Sequence, residues 1–307
     1  MTPARLAALP LLLLPLVLPA CDDAAESLSS ARLSAQEMYE KGRALMKPNV
    51  EHAASDAKQA LAWIQQAAEG GLARAQLDLG GLYMYGGKEI KADGAKAMEW
   101  FQKAAAQGNR EAEYFIGELY LTGQGVAADA KKAVEHWRIG AEAGIAEAQQ
   151  RLGITLAQNE ETFDEGFAWL LKAATEGTGN GQRDAAAELG NIYARGKGGV
   201  QQSMEEAARW YAVAAEGGSV KAQFIYALLL LDGDVIPQDR GKGMMMLRLA
   251  ASSDYLPAMS EFIRQLRTDP AATPGQLKEA EAWNKRLVEL QERQKGQKPQ
   301  ATPDAAP

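Results

Sequence analysis

The stretch Ala97–Gly108, AMEWFQKAAAQG, decides the fold because the chain keeps returning to it. Ala60 opens ALAWIQQAAEGG, Gly166 opens GFAWLLKAATEG and Ala207 opens AARWYAVAAEGG. Aligned on their small first residue, six copies start at Ala60, Ala97, Ala133, Gly166, Ala207 and Gly243, in steps of 37, 36, 33, 41 and 36 residues. Self-similarity at this period marks a solenoid of helical units. In each copy the third and fourth residues after the start are large: Trp63/Ile64, Trp100/Phe101, His136/Trp137, Trp169/Leu170, Trp210/Tyr211 and Met246/Leu247. The seventh and eighth are small, as in Ala104/Ala105 and Gly140/Ala141. This spacing places all five on one helical stripe, with bulk at one end and a close approach at the other.

The helix starts can be checked independently. Four residues before each small residue stand Asp56, Asp93, Asp129, Thr162, Ser203 and Asp239, all side chains that accept from the unpaired amides of a first helical turn. Thr162 with Glu165, and Ser203 with Glu206, have the spacing of a capping box. A second helix accompanies each copy, reading Ala75-Leu79-Gly80-Tyr83, Ala112-Ile116-Gly117-Tyr120, Ala148-Leu152-Gly153-Leu156, Ala185-Leu189-Gly190-Tyr193 and Ala222-Tyr226-Ala227-Leu230. A mid-helix glycine costs about 1 kcal/mol relative to alanine, so its recurrence predicts a close helix crossing. Glycine-rich turns follow, as in TGQGVAAD and RGKGGVQQS.

This pattern, clearest over Ala112–Gly144, resembles the Sel1-like repeat, a relative of the tetratricopeptide repeat. The resemblance covers residues 34–258 in five to six units. It implies an all-α fold, a right-handed helical-repeat solenoid of antiparallel helix pairs, acting as a non-enzymatic adaptor. One unit departs from it: near residues 157–184 the glycine turn is lost and TGNGQRD is inserted. Both a protein-specific contact and a tolerated surface insertion are consistent with that change. In the related fold the first helices line the concave face. Carried onto this sequence, that implies binding positions at Leu77, Met84, Tyr85, Tyr114, Glu118, Asn191, Arg195 and Phe224, with gap filling between units the alternative for Leu77 and Phe224.

The ends read as solenoid caps. Ser34 and Glu37 form a capping box that opens a helix through Met46, and residues 259–294 hold two further helices, the last with Pro274 in its first turn after Thr273. The tail from Lys295 to Pro307 has a disordered composition. At the other end, Arg5 precedes an apolar run over residues 6–20 that is short for a membrane span and broken by Pro10, Pro15 and Pro19. Leu18-Pro19-Ala20-Cys21 resembles the bacterial lipobox, which implies a signal peptide over 1–20, lipidation at Cys21 and a linker over 21–33. Cys21 is the one cysteine, and a thioether would protect it from oxidation. Asp22, in lipoproteins of this kind, favours the inner over the outer membrane.

Little in the sequence points to catalysis. His136 occupies a slot that Trp holds in sister copies and reads as a packed core residue, and His52 has no second ligand nearby. DGDVIPQD lacks the closing glutamate of a calcium loop, because its twelfth position is Gly243. EETFDE sits at a helix start, where acids suit the dipole, and GKGGV and GQGV lack the Lys-Ser/Thr of a phosphate loop. Met244–Met246 reads as core filling. No metal or cofactor is called for. A formal charge of −7 opposes nucleic-acid binding, which needs a basic face. The leading expectation is a membrane-anchored, periplasm-facing protein-interaction solenoid. It would act as an adaptor, or resemble the anchored immunity proteins that neutralise lipase effectors delivered by secretion systems. Carbohydrate or peptidoglycan binding is the alternative, and a cell-wall enzyme a more distant one.

Overall fold

The computed structural model describes residues 33–46, 54–87 and 90–297. The expected signal peptide, Cys21, His52 and all of the expected linker but Leu33 lie outside them. Fourteen α-helices and two short 3-10 turns make up the regular structure, with no strand among the described residues. The chain divides after Ala75 into two compact units.

In the first unit α1 (Ala35–Leu45) packs on α2 (Ala54–Glu69). The Ser34–Glu37 capping box is complete: Ser34 N donates to Glu37 Oε2 at 2.7 Å and Glu37 N to Ser34 Oγ at 3.2 Å. Gly42 lies so close to Ile64 that a Cβ would stand 2.8 Å from Cγ1. Thus α1 is the first member of a helix pair and not only a lid. Helix α2 begins at Ala54, which places Asp56 inside the helix instead of at its cap.

The second unit is an all-α helical-repeat solenoid. It takes in most of α3 (Ala73–Tyr85), then α4 (Gly94–Ala106), α5 (Glu111–Thr122), α6 (Ala130–Glu142), α7 (Ala146–Leu156), α8 (Phe163–Glu176) and α9 (Gly179–Arg195). These are followed by α10 (Met204–Glu216), α11 (Val220–Asp232), α12 (Arg240–Ser252), α13 (Leu256–Thr268) and α14 (Pro274–Gln297). From α4 onward each helix packs on the next. The fourth residue of each repeated stripe forms the core: Phe101, Trp137, Leu170, Tyr211 and Leu247 are all buried. Each such side chain contributes about 1.5–3 kcal/mol by leaving water. Four of them rest on the recurring glycine of the preceding helix. A Cβ on Gly80 would lie 2.7 Å from Phe101, on Gly117 2.4 Å from Trp137, on Gly153 2.8 Å from Leu170 and on Gly190 2.6 Å from Tyr211. The glycines therefore let a large side chain of one helix sit on the backbone of another.

The third residue of the stripe behaves differently. Trp100, His136, Trp169 and Trp210 are all half-buried, and only Met246 is fully enclosed. His136 is thus not a core residue. Its Nδ1 lies 2.7 Å from Glu113 Oε2 and its ring stacks on Tyr120 at 5.5 Å. Lys103 lies 4.0 Å over the Trp100 ring and Lys172 5.4 Å over Trp169. Within GMMM, Met246 is buried but Met245 is exposed.

Asp93, Asp129, Ser203 and Asp239 accept from first-turn amides as expected. Thr162 does not: its hydroxyl donates to Leu156 O at 2.7 Å, behind a 3-10 turn over Glu160–Thr162. Its partner in the expected box, Glu165, instead pairs with Arg138, and Glu206 turns to Arg209 at 2.6 Å. Removing a working cap by Asp129→Ala should cost about 1–2 kcal/mol, since Asp129 Oδ1 accepts from both Lys131 N and Lys132 N. Thr162→Ala should cost less than half of that. Urea unfolding midpoints of the two variants decide whether cap geometry sets the difference.

The inserted TGNGQRD is absorbed as helix. It opens the 17-residue α9, where Gly181 presses against the backbone of Ala146. Gln182 Nε2 donates to Ala174 O at 3.2 Å, repeating a bond that Gln149 makes to Ala141 O and Gln223 to Ala215 O. Helix α14 covers the last pair with Ala280 and Leu287 and runs to Gln297, so the expected tail begins within it; residues 298–307 lie outside the described residues. Thr273 and Gln276 cap its start reciprocally.

Candidate interaction site on the first helices

On α5, Tyr114 and Glu118 are four residues apart and share one face. Arg151 on α7 reaches across, its Nη2 donating to Glu118 Oε2 at 2.9 Å, and its guanidinium comes near enough to the Tyr114 phenol to interact with it. Tyr85, at the end of α3, is 70% exposed and near enough to feel the charge of Glu118. Three successive first helices thus bring two phenols, a carboxylate and a guanidinium together.

The electrostatics of this group are set by burial. Glu118 is only 8% exposed. Burial pushes its carboxyl above the ordinary value, and the charge and hydrogen bond of Arg151 oppose that rise. Burial pushes the Tyr114 phenol up to about 12, with Glu118 adding to the effect. Burial works against the Arg151 guanidinium, but Glu118 and Tyr114 raise it on balance. One carboxylate atom, Glu118 Oε1, is sealed from solvent and has no hydrogen-bond partner. An unmet buried acceptor is costly and calls for an explanation.

The other sequence-derived positions fare differently. Leu77 and Met84 are buried with Phe101 and Ile116, so their side chains are spent on packing. Asn191 accepts from Tyr211 OH at 3.0 Å and donates to Glu188 at 3.1 Å, holding a core ring in place. Arg195 is exposed at the end of α9, and Phe224 is half-buried, edge-on to Tyr255 at 5.6 Å. Of the eight positions, Tyr85, Tyr114 and Glu118 are brought together. Arg151 was missed. Its signal is a cation just before the Leu-Gly pair, where the other copies carry Asp78, Phe115, Glu188 and Ile225.

Among the described residues no group of three or more His, Cys, Asp or Glu side chains could hold a metal ion, and no helix is long and apolar enough to cross a membrane. The cluster carries recognition chemistry: aromatic area, an arginine and a desolvated charge.

Comparison with known proteins agrees with this architecture. Among solved structures, a Sel1 repeat protein from Oxalobacter formigenes is 23% identical and superposes with a TM-score of 0.67, covering 82% of this chain and 99% of that one. A protective antigen present in uropathogenic Escherichia coli strains, displaying an SLR fold, is 27% identical with a TM-score of 0.65; the match covers 88% of this chain but only 56% of that one. An immunity protein from Pseudomonas aeruginosa is 20% identical with a TM-score of 0.52, over 73% of this chain and 83% of its own. Comparison with curated protein sequences finds no match. The Sel1 repeat family model matches six segments, residues 27–72, 73–109, 110–145, 146–178, 183–219 and 220–255. These six segments are the helix pairs from α1–α2 to α11–α12, and the chain belongs to the Sel1 repeat family.

Proposed function

We propose that this protein-interaction solenoid is non-enzymatic, faces the periplasm from a lipid anchor on Cys21, and inhibits a toxic enzyme in the manner of an immunity protein. The observation that carries the reading is the Tyr85–Tyr114–Glu118–Arg151 cluster, built across successive first helices with no catalytic or metal-binding grouping in it. A rigid array of helix pairs presents such a cluster without the cost of ordering it on binding. The inhibitor form is preferred to an envelope adaptor because the fold is shared with immunity proteins of Pseudomonas aeruginosa. The lipase class of target comes from the sequence resemblance, and the inner membrane from Asp22.

A second reading, binding of carbohydrate or peptidoglycan, gains from one feature. Trp100, Trp169 and Trp210 are half-exposed, and exposed indoles suit sugar rings. Lysines already lie over two of them, which leaves less free ring face.

The test is capture from envelope extract with tagged protein spanning residues 22–307, followed by mass spectrometry and activity assays. One stoichiometric partner whose enzyme activity falls on binding supports the inhibitor. Several envelope components at low occupancy support an adaptor. Capture of no protein, with co-sedimentation on peptidoglycan sacculi, overturns the reading in favour of the glycan.

A further inference from the structure

Resting on the protein-binding reading, we propose that the cluster on α3, α5 and α7 receives an arginine side chain of the partner, which donates to Glu118 Oε1 and lies against the rings of Tyr85 and Tyr114. The argument starts from what the unbound chain leaves unmet. Arg151 satisfies Glu118 Oε2 at 2.9 Å, whereas Oε1 is shut off from water and has no donor. The side chain of Arg151 is itself 41% exposed, so water can serve its remaining N–H groups. The outstanding demand is therefore for a donor and not for an acceptor. An anionic partner group would meet only donors that are already hydrated.

A charged donor suits the place better than a neutral one. Hydrogen bonds between ionised groups are roughly twice as strong as neutral ones. The two phenols stay neutral across physiological pH and offer ring faces to a cation. A guanidinium stacks on such faces and presents several N–H groups in one plane, which an ammonium does not. The chain's net charge of −7 draws basic partners by long-range attraction. Because Oε1 is covered in the unbound chain, the entering side chain must displace something. Tyr85, 70% exposed at the end of its helix, is the ring with room to move. The arrangement would explain why a carboxylate is kept where other copies place Gly81, Ile154, Asn191 and Leu228.

The experiment uses the full chain in detergent, with 13C-labelled tyrosine rings followed by NMR during titration with three capped tripeptides: Gly-Arg-Gly, Gly-citrulline-Gly and Gly-Glu-Gly. The arginine peptide should shift the Tyr85 and Tyr114 signals saturably, with a dissociation constant in about the millimolar range expected of a single contact. Citrulline has the same shape without the charge, and should bind at least tenfold more weakly. Glu118→Gln should weaken arginine binding by a similar factor. Tyr85→Ala, an exposed site whose change leaves the fold intact, should weaken it several-fold with an unchanged melting temperature. Equal binding of the arginine and citrulline peptides, preference for the glutamate peptide, or full binding by the Tyr85→Ala protein would each overturn the proposal. These outcomes are separable from the capture experiment. A partner retained equally by wild type and Tyr85→Ala sinks the arginine site and leaves the protein-binding reading standing. Failure to capture any protein sinks that reading while the titration still decides whether the cluster takes a guanidinium.

Discussion

Gly117→Ala is expected to destabilise the repeat array by about 1–3 kcal/mol, the usual cost of overpacking a filled core. The added Cβ would stand 2.4 Å from Trp137 Nε1, 2.5 Å from Cδ1 and 3.1 Å from Ala133 O. Trp137 is only 1% exposed and cannot retreat without moving Ala141 and Leu152, which pack in the same cluster. Helix propensity works the other way, since alanine in a helix interior gains about 1 kcal/mol over glycine. The sign is therefore a contest between sterics and backbone entropy. At Gly117 sterics should prevail. Gly81 on α3 supplies the control: it is also inside a helix, but nothing lies within 4 Å of its would-be Cβ. Gly81→Ala should stabilise by about 0.5–1 kcal/mol. Urea unfolding, combined with amide exchange on α5 and α6, reads both variants. Midpoints that move in the same direction would falsify the account of the recurring glycine as a close-approach site.

The same contact shows what was legible in the sequence and what was not. The repeat period, the helix pairs and most caps are local or periodic, and the residues state them directly. Which of the two large stripe residues is core is not local. The third and fourth positions are 100° apart on the helix, and both fit an apolar stripe. The choice is made by the neighbouring glycine, under which Phe101 and Trp137 lie while Trp100 and His136 are left at the edge. Likewise Glu118 could be placed on a first-helix face from its register, but its pairing with Arg151 depends on how far one helix is rotated against the next. Thr162 looked like a cap because its spacing was right. The shortened turn before it winds into a 3-10 turn and redirects its hydroxyl to Leu156 O. TGNGQRD reads as an insertion against the repeat period, yet its glycine- and polar-rich residues from Gly179 to Asp184 are helical, with the backbone of Ala146 lying against Gly181.

Arg151→Ala should cost about 1–3 kcal/mol at neutral pH. Removing one partner of a buried ion pair leaves the other charge uncompensated; here solvent reaching the half-exposed Arg151 site reduces the loss. The pH dependence identifies the cause. In the folded chain burial already holds Glu118 above its ordinary value of 4.5, and Arg151 is what restrains it. Without Arg151 the folded-state value rises further, while the unfolded value stays. A raised carboxyl favours folding most where it is protonated, so the penalty is complete above the folded value, shrinks as pH falls through it, and vanishes below 4.5. An exposed ion pair narrows the gap between wild type and variant because the wild type weakens in acid; here the variant should strengthen. Comparison with the double variant Glu118→Gln, Arg151→Ala isolates this one titration, since all other groups are shared. The single variant should be the less stable of the two at pH 7 and draw level with the double variant as pH approaches 4.5. Replacing both residues by leucine should be neutral or stabilising, because no charge is then buried. If the single and double variants instead run parallel across that range, Glu118 is hydrated once Arg151 is gone. The carboxylate would then be held by water and not by its neighbours, and its orphaned oxygen would no longer argue for an arginine from outside.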